Sequence, residues 1–166
     1  MRVVFALVRA FLYASLFLTL VLFLIPAWTL ESAGIGRPPG TGPMQVAGIV
    51  IAVLGLGLAL WSVVVFAVVG RGTPAPFDPP RRLVARGPYR FVRNPMAMGI
   101  GSALVGAALF YRSWQLAVVA AVFFVILHLF VVLYEEPTLL RTFGEDYAAY
   151  RGAVRRWWPR WKGYRP

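Results

Sequence analysis

Two charged clusters in this 166-residue sequence each lie directly against a long apolar run: Arg86-Gly87-Pro88-Tyr89-Arg90-Phe91-Val92-Arg93-Asn94-Pro95 and Glu135-Glu136-Pro137. Three arginines in one and two carboxylates in the other can together hold a ligand that carries both signs of charge. Where water meets a membrane, such a site can bring a charged cofactor to an apolar substrate. Pro95 suits the first position of a helix, where its missing N–H and fixed φ cost nothing. Gly99 and Gly101 come next, and they admit either a flat ligand or another helix backbone. His128 lies seven residues before Glu135, close to two helical turns, so the two are expected on nearly the same face, with Glu136 about 100° away. An ionisable group inside an apolar run marks either function or a neutral histidine bonded to a neighbouring helix. Pro137 deprives Leu133 of its usual backbone partner and biases Glu136 away from helical geometry. The helix is therefore expected to end or kink there and to display the glutamates at its end.

The elements that must position these groups are membrane helices. Hydrophobic residues make up 60% of the chain, which excludes a soluble fold and points to one integral membrane domain, residues 1–166. There is no cysteine and one histidine, so no metal site is expected. Seventeen Lys and Arg against six acids give a net charge of +11, which in a membrane protein fits anionic lipid headgroups rather than nucleic acid. The expected fold is all-α: a bundle of four transmembrane helices with a cytoplasmic loop and a C-terminal interfacial helix and tail. Its helices fall at residues 10–30, 44–70, 95–111 and 114–134. The first is uncharged throughout and exceeds the apolar core of a secretory signal, about 7 to 15 residues. Pro26 is expected to kink it, and Trp28 suits an interface. Gly48, Gly55 and Gly57 open the second helix to close packing. Residues 31–42 form a short external loop, and 71–93, with Pro74, Pro76, Pro79 and Pro80, an extended one. Arg112-Ser113 makes a tight turn. From Thr138 the chain reads as an amphipathic helix, then a basic aromatic tail of arginines and Trp157, Trp158 and Trp161 suited to an interface. With four helices, fifteen cations collect on one side and only Arg37 and Arg112 on the other. Both termini and both clusters are thereby expected in the cytoplasm.

The order Gly87-Pro88-Tyr89, Arg93-Asn94-Pro95 with Gly99, an apolar helical hairpin, Glu135-Glu136, Phe143-Gly144, Tyr147, Tyr150 and Arg156 to Pro159 resembles the isoprenylcysteine carboxyl methyltransferase and phospholipid methyltransferase superfamily. The likeness covers roughly residues 71–160. It implies S-adenosylmethionine as cofactor, a lipophilic or membrane-associated acceptor (lipid amine, carboxylate or thiol), and a bacterial inner membrane. It divides the domain into an N-terminal helical pair, residues 1–70, and a cofactor-binding core, residues 71–166. In that family an Arg-His-Pro-x-Tyr-x-Gly segment and a Glu-Glu pair form the cofactor pocket. Carried over, this implies cofactor contacts from Tyr89, Arg93, Asn94, Pro95, Gly99, Gly101, Glu135 and Glu136. Arg93 would hold the carboxylate, and the glutamates the ribose hydroxyls or ammonium. Methyl transfer is an in-line displacement, so positioning in a dry pocket supplies most of the acceleration. An amine or thiol acceptor must lose a proton, for which Glu135 stands first and His128 second; a carboxylate needs neither. Tyr147 and Arg155, placed after the glutamates, are the candidate substrate or lid contacts. Two positions depart from the family: Asn94 stands where many members have histidine, and Ala97 where many have tyrosine. Asparagine still hydrogen-bonds but is no base. The competing readings are a non-catalytic membrane scaffold or lipid-binding subunit, and an NADPH-dependent sterol or enone reductase, for which the chain is short.

Overall fold

A computed structural model describes residues 8, 12–13, 15–38, 40–70 and 80–164, and every regular element among them is helical. A π-helical turn, Leu20–Leu24, leads into α1, Ile25–Ser32. Helix α2, Pro43–Val65, continues through a second π turn, Phe66–Gly70. A 3-10 turn, Gly87–Arg90, precedes α3, Pro95–Tyr111. Helix α4, Trp114–Phe130, runs through a third π turn, Val131–Glu135, into α5, Glu136–Ala153. Arg2, Arg9 and the start of the first helix lie outside the described residues. So do Arg71, Pro74, Pro76, Asp78, Pro79 and Arg165.

Among the described residues, three helical stretches, Ser15–Ser32, Pro43–Gly70 and Trp114–Ala153, are long and apolar enough to cross a membrane, where four were expected. The exception is α3, whose 17 residues reach about 25 Å against about 30 Å of hydrocarbon. Its ends are fixed by sequence. Pro95 begins it, and Arg112 closes it in the left-handed region at φ 51°. Ser113 then caps α4 by accepting the Leu116 N–H at 3.2 Å, so the two helices join through a tight turn.

Helix α3 is short but central, because it is pressed against α2 along a stripe of small residues. Gly48 and Gly55 on α2 meet Gly106 and Gly99 on α3, the seven-residue spacing on each helix matching the other in antiparallel order. A Cβ on Gly55 would lie 2.5 Å from the Gly99 carbonyl oxygen, and one on Gly99 would lie 2.5 Å from that of Gly55. The backbones touch, and only glycine permits it. Gly57, expected in the same contact, faces open space. Val21, Ala59, Ile100, Leu104 and Ala120 complete the core between the helices.

Pro137 does not end the helix. The chain stays helical from Trp114 through Pro137 as far as Phe143, and Glu136 is buried rather than displayed at a helix end. The reason lies in the π turn ahead of it. There the Glu136 N–H bonds to the Val131 carbonyl, five residues back, and the wider turn accommodates the ring and the missing donor of proline. The same device, Leu20–Leu24, stands ahead of Pro26. The break comes later, at Gly144, whose φ of 52° and ψ of −123° only glycine adopts freely. It turns Tyr147 and Tyr150 back under the 80–94 segment, where they pack with Ala85 and Val154.

Candidate active site

The site lies where the 3-10 turn, the N-terminus of α3, the third π turn and α5 converge. Arg93 sits two residues before α3, and its Nη1 lies 2.9 Å from Glu136 Oε1 while donating to the Tyr147 hydroxyl at 3.2 Å. Arg156, from the tail, grips the same carboxylate as a fork: Nε to Oε1 at 2.6 Å and Nη2 to Oε2 at 2.9 Å. That bond favours the charged form of Arg156 and raises its pKa above the ordinary arginine value. Glu136, 5% exposed, is thus clamped between two guanidinium groups. Glu135 lines the same cavity with no ion pair among the described residues. Beneath them the Tyr150 hydroxyl donates to the Tyr89 carbonyl at 2.7 Å. Burial, with the charge of Glu135 adding to it, holds the Tyr89 phenol above its ordinary pKa, so it stays a neutral wall.

The tail closes one side. Arg93 N–H donates to the Arg155 carbonyl at 3.0 Å, Arg160 N–H to that of Phe91 at 2.9 Å, and Tyr164 N–H to that of Arg90 at 2.9 Å. Arg90 Nε returns a bond to the Tyr164 carbonyl at 2.8 Å. The tail is laced to the segment ahead of α3 as a strap.

Of the residues expected from sequence, Tyr89, Arg93, Asn94, Glu135, Glu136 and Tyr147 are brought to one cavity. Pro95 is buried as the first residue of α3. Gly99 and Gly101 are not on the cavity: Gly99 is used against Gly55, and Gly101 faces the Phe124 ring. Asn94 donates to the Arg156 carbonyl at 3.4 Å, a tie to the tail. Arg155 is exposed and contributes its carbonyl rather than its guanidinium. His128 lies off the cavity, its Nδ1 accepting from the Trp157 indole at 3.0 Å. The π turn explains why it parts from Glu135. One extra residue in the turn sets the following side chains back by about 100°, so the two no longer share a face. Sequence reasoning assigned no role to Tyr150 or Arg156. Tyr150 carried a signal, lying three residues after Tyr147 and hence on the same helical face. Arg156 stood in the ordered set that carried the resemblance but with no partner assigned, since only folding brings it to a carboxylate 20 residues earlier.

A family model described as phospholipid methyltransferase matches residues 43–146. The chain belongs to the phospholipid methyltransferase family. The match begins at the start of α2, ahead of the stretch that carried the resemblance, and covers the arginine segment and both glutamates. No curated protein and no solved structure matches the chain. Membership makes this a membrane protein of a methyltransferase family, with its charged cavity at the end of apolar helices. The donor set suits a ligand of mixed charge: a carboxylate without an ion pair, and Arg93 Nε, which is buried without a hydrogen-bond partner. The cavity itself is about 40 Å³, room for two or three waters at about 15 Å³ each. A cofactor-sized molecule requires the surrounding side chains to move apart.

Proposed function

We propose that this chain transfers a methyl group from S-adenosylmethionine to a lipophilic or membrane-associated acceptor, a lipid amine, carboxylate or thiol. The observation that carries the reading is the Arg93–Glu135–Glu136 cavity at the end of apolar helices in a phospholipid methyltransferase family member. When bound, S-adenosylmethionine supplies the electrophilic methyl group. Arg93, with its unpartnered Nε, is suited to a carboxylate. Glu135 and Glu136 are suited to an ammonium or to ribose hydroxyls. Glu135 has no ion pair to give up among the described residues and is the residue to take a proton from an amine or thiol. Phe66, Leu139 and Tyr89 wall the cavity, and apolar walls of this kind favour a dry pocket once a ligand fills it.

The acceptor enters from the bilayer. The exposed arginines, Trp158 and Trp161 of the tail face anionic lipid headgroups on the cytoplasmic side of a bacterial inner membrane, and α3 crosses most of that bilayer as the fourth helix. Calorimetry with S-adenosylhomocysteine on detergent-purified protein tests the reading. Micromolar binding, about −8 kcal/mol, is expected. It should fall at least about tenfold in Glu135→Gln, which breaks no ion pair, and vanish in the Glu135→Gln, Glu136→Gln double variant. Well-folded protein that binds nothing at concentrations sensitive to about millimolar affinity would favour the scaffold or lipid-binding reading instead.

A further inference from the structure

Trp157 turns inward where Trp158 and Trp161 are exposed. Its indole N–H donates to His128 Nδ1 at 3.0 Å, and its ring packs on Phe124 with centroids 4.7 Å apart. An imidazole on an apolar helix needs a partner. A neutral imidazole offers one acceptor and an indole one donor, so each satisfies the other. The bond also ties α4 to the residue directly after Arg156. On either side the tail is fixed again, by Arg93 N–H to the Arg155 carbonyl and Arg160 N–H to the Phe91 carbonyl. Arg156 is therefore held between anchored neighbours with its fork on Glu136.

We infer that Trp157 and His128 form a latch that sets the register of the tail, so that Arg156 holds the Glu136 carboxylate in place in the cofactor cavity. The inference rests on the methyl-transfer reading. His128 is then a positioning residue, and the ionisable group in the membrane helix serves as a hydrogen-bond acceptor rather than a proton carrier. With the latch gone, Glu136 keeps its bond to Arg93 but loses the second guanidinium that sets its orientation.

The test combines amide hydrogen exchange with S-adenosylhomocysteine calorimetry on the full chain in detergent. Trp157→Phe keeps the ring and removes the donor. Exchange at the Arg160 and Tyr164 amides should then rise about five- to tenfold, the weight of one hydrogen bond, with α2 and α3 unchanged. Affinity should fall by a similar factor in Trp157→Phe and in Arg156→Gln, and the double variant should lose no more than Arg156→Gln alone. His128→Gln, which retains an acceptor oxygen, should bind better than His128→Leu. Unchanged exchange at the tail amides or additive losses would overturn the latch. So would loss of protection throughout α2 and α3, which marks a merely structural contact. If wild-type protein binds no S-adenosylhomocysteine, the methyl-transfer reading and the cofactor half of the inference fall together, and exchange alone decides whether the latch exists.

Discussion

Two adjacent glutamates meet different fates at this site. Glu136 is held by the guanidinium groups of Arg93 and Arg156, whereas Glu135 has no ion pair among the described residues. On the proposed methyl-transfer reading, Glu136 fixes geometry and Glu135 stays available. A buried carboxylate with two cations is not thereby a source of net stability, because desolvation offsets much of the attraction. Removing one partner is another matter. Arg93→Leu strips Glu136 of one charge-assisted contact and Tyr147 of its donor. It should lower stability by about 2 kcal/mol in reversible unfolding in detergent. Arg93→Lys should recover only part of this, since one ammonium on a different stem must reach both Glu136 Oε1 and the Tyr147 hydroxyl that Arg93 Nη1 serves. A Leu variant as stable as the wild type would mean that Arg156 alone suffices for Glu136.

At the scale of elements, glycine spacing decides how α2 and α3 approach. Gly55→Ala places a methyl 2.5 Å from the Gly99 carbonyl oxygen, backbone that cannot turn aside, so the helices must part. The expected loss is about 1 to 3 kcal/mol, with α3 displaced and the arginine segment at its N-terminus carried with it. Gly57→Ala, on the same helix but facing open space, should be neutral or slightly stabilising. Thermal unfolding of the two variants side by side checks this, and equal effects would remove the interlocked stripe as the cause. The π turn ahead of Pro137 matters at this scale too. It lets one helix pass from the bilayer into the site without a break, and it changes the phase of every side chain beyond it.

For the whole molecule, charge distribution is the basis of the proposed orientation. The arginine segment and the tail are laced together, so both sit on one side of the membrane. Arg37 and Arg112 line a separate open cleft beside Gln45 and Tyr111, at the opposite ends of the helices. Because the chain has no cysteine, single cysteines report sides cleanly. In inverted vesicles, whose cytoplasmic face is outward, Lys162→Cys should react with an impermeant thiol reagent and Arg37→Cys should not. The reverse pattern would invert the proposed topology, and labelling of both in sealed vesicles would refute the span count that separates them.

Sequence by itself determined the features that composition and local period dictate. The apolar runs require membrane helices, the proline at 95 starts α3, and the arginines and glutamates gather at the ends of those runs because charge is excluded from hydrocarbon. Those same rules brought Arg93, Glu135 and Glu136 to notice before any fold was known, and the family resemblance added Tyr89 and Tyr147. Tertiary structure alone decided the features that depend on phase and on distant contacts. A single π turn separated His128 from Glu135, a difference no 3.6-residue count detects. The heptad match between Gly48–Gly55 and Gly99–Gly106 turned Gly99 to a helix rather than a ligand. The folding-back of the tail delivered Arg156 to Glu136, since which charges pair across 20 residues is settled by where the backbone can go, not by the charges themselves.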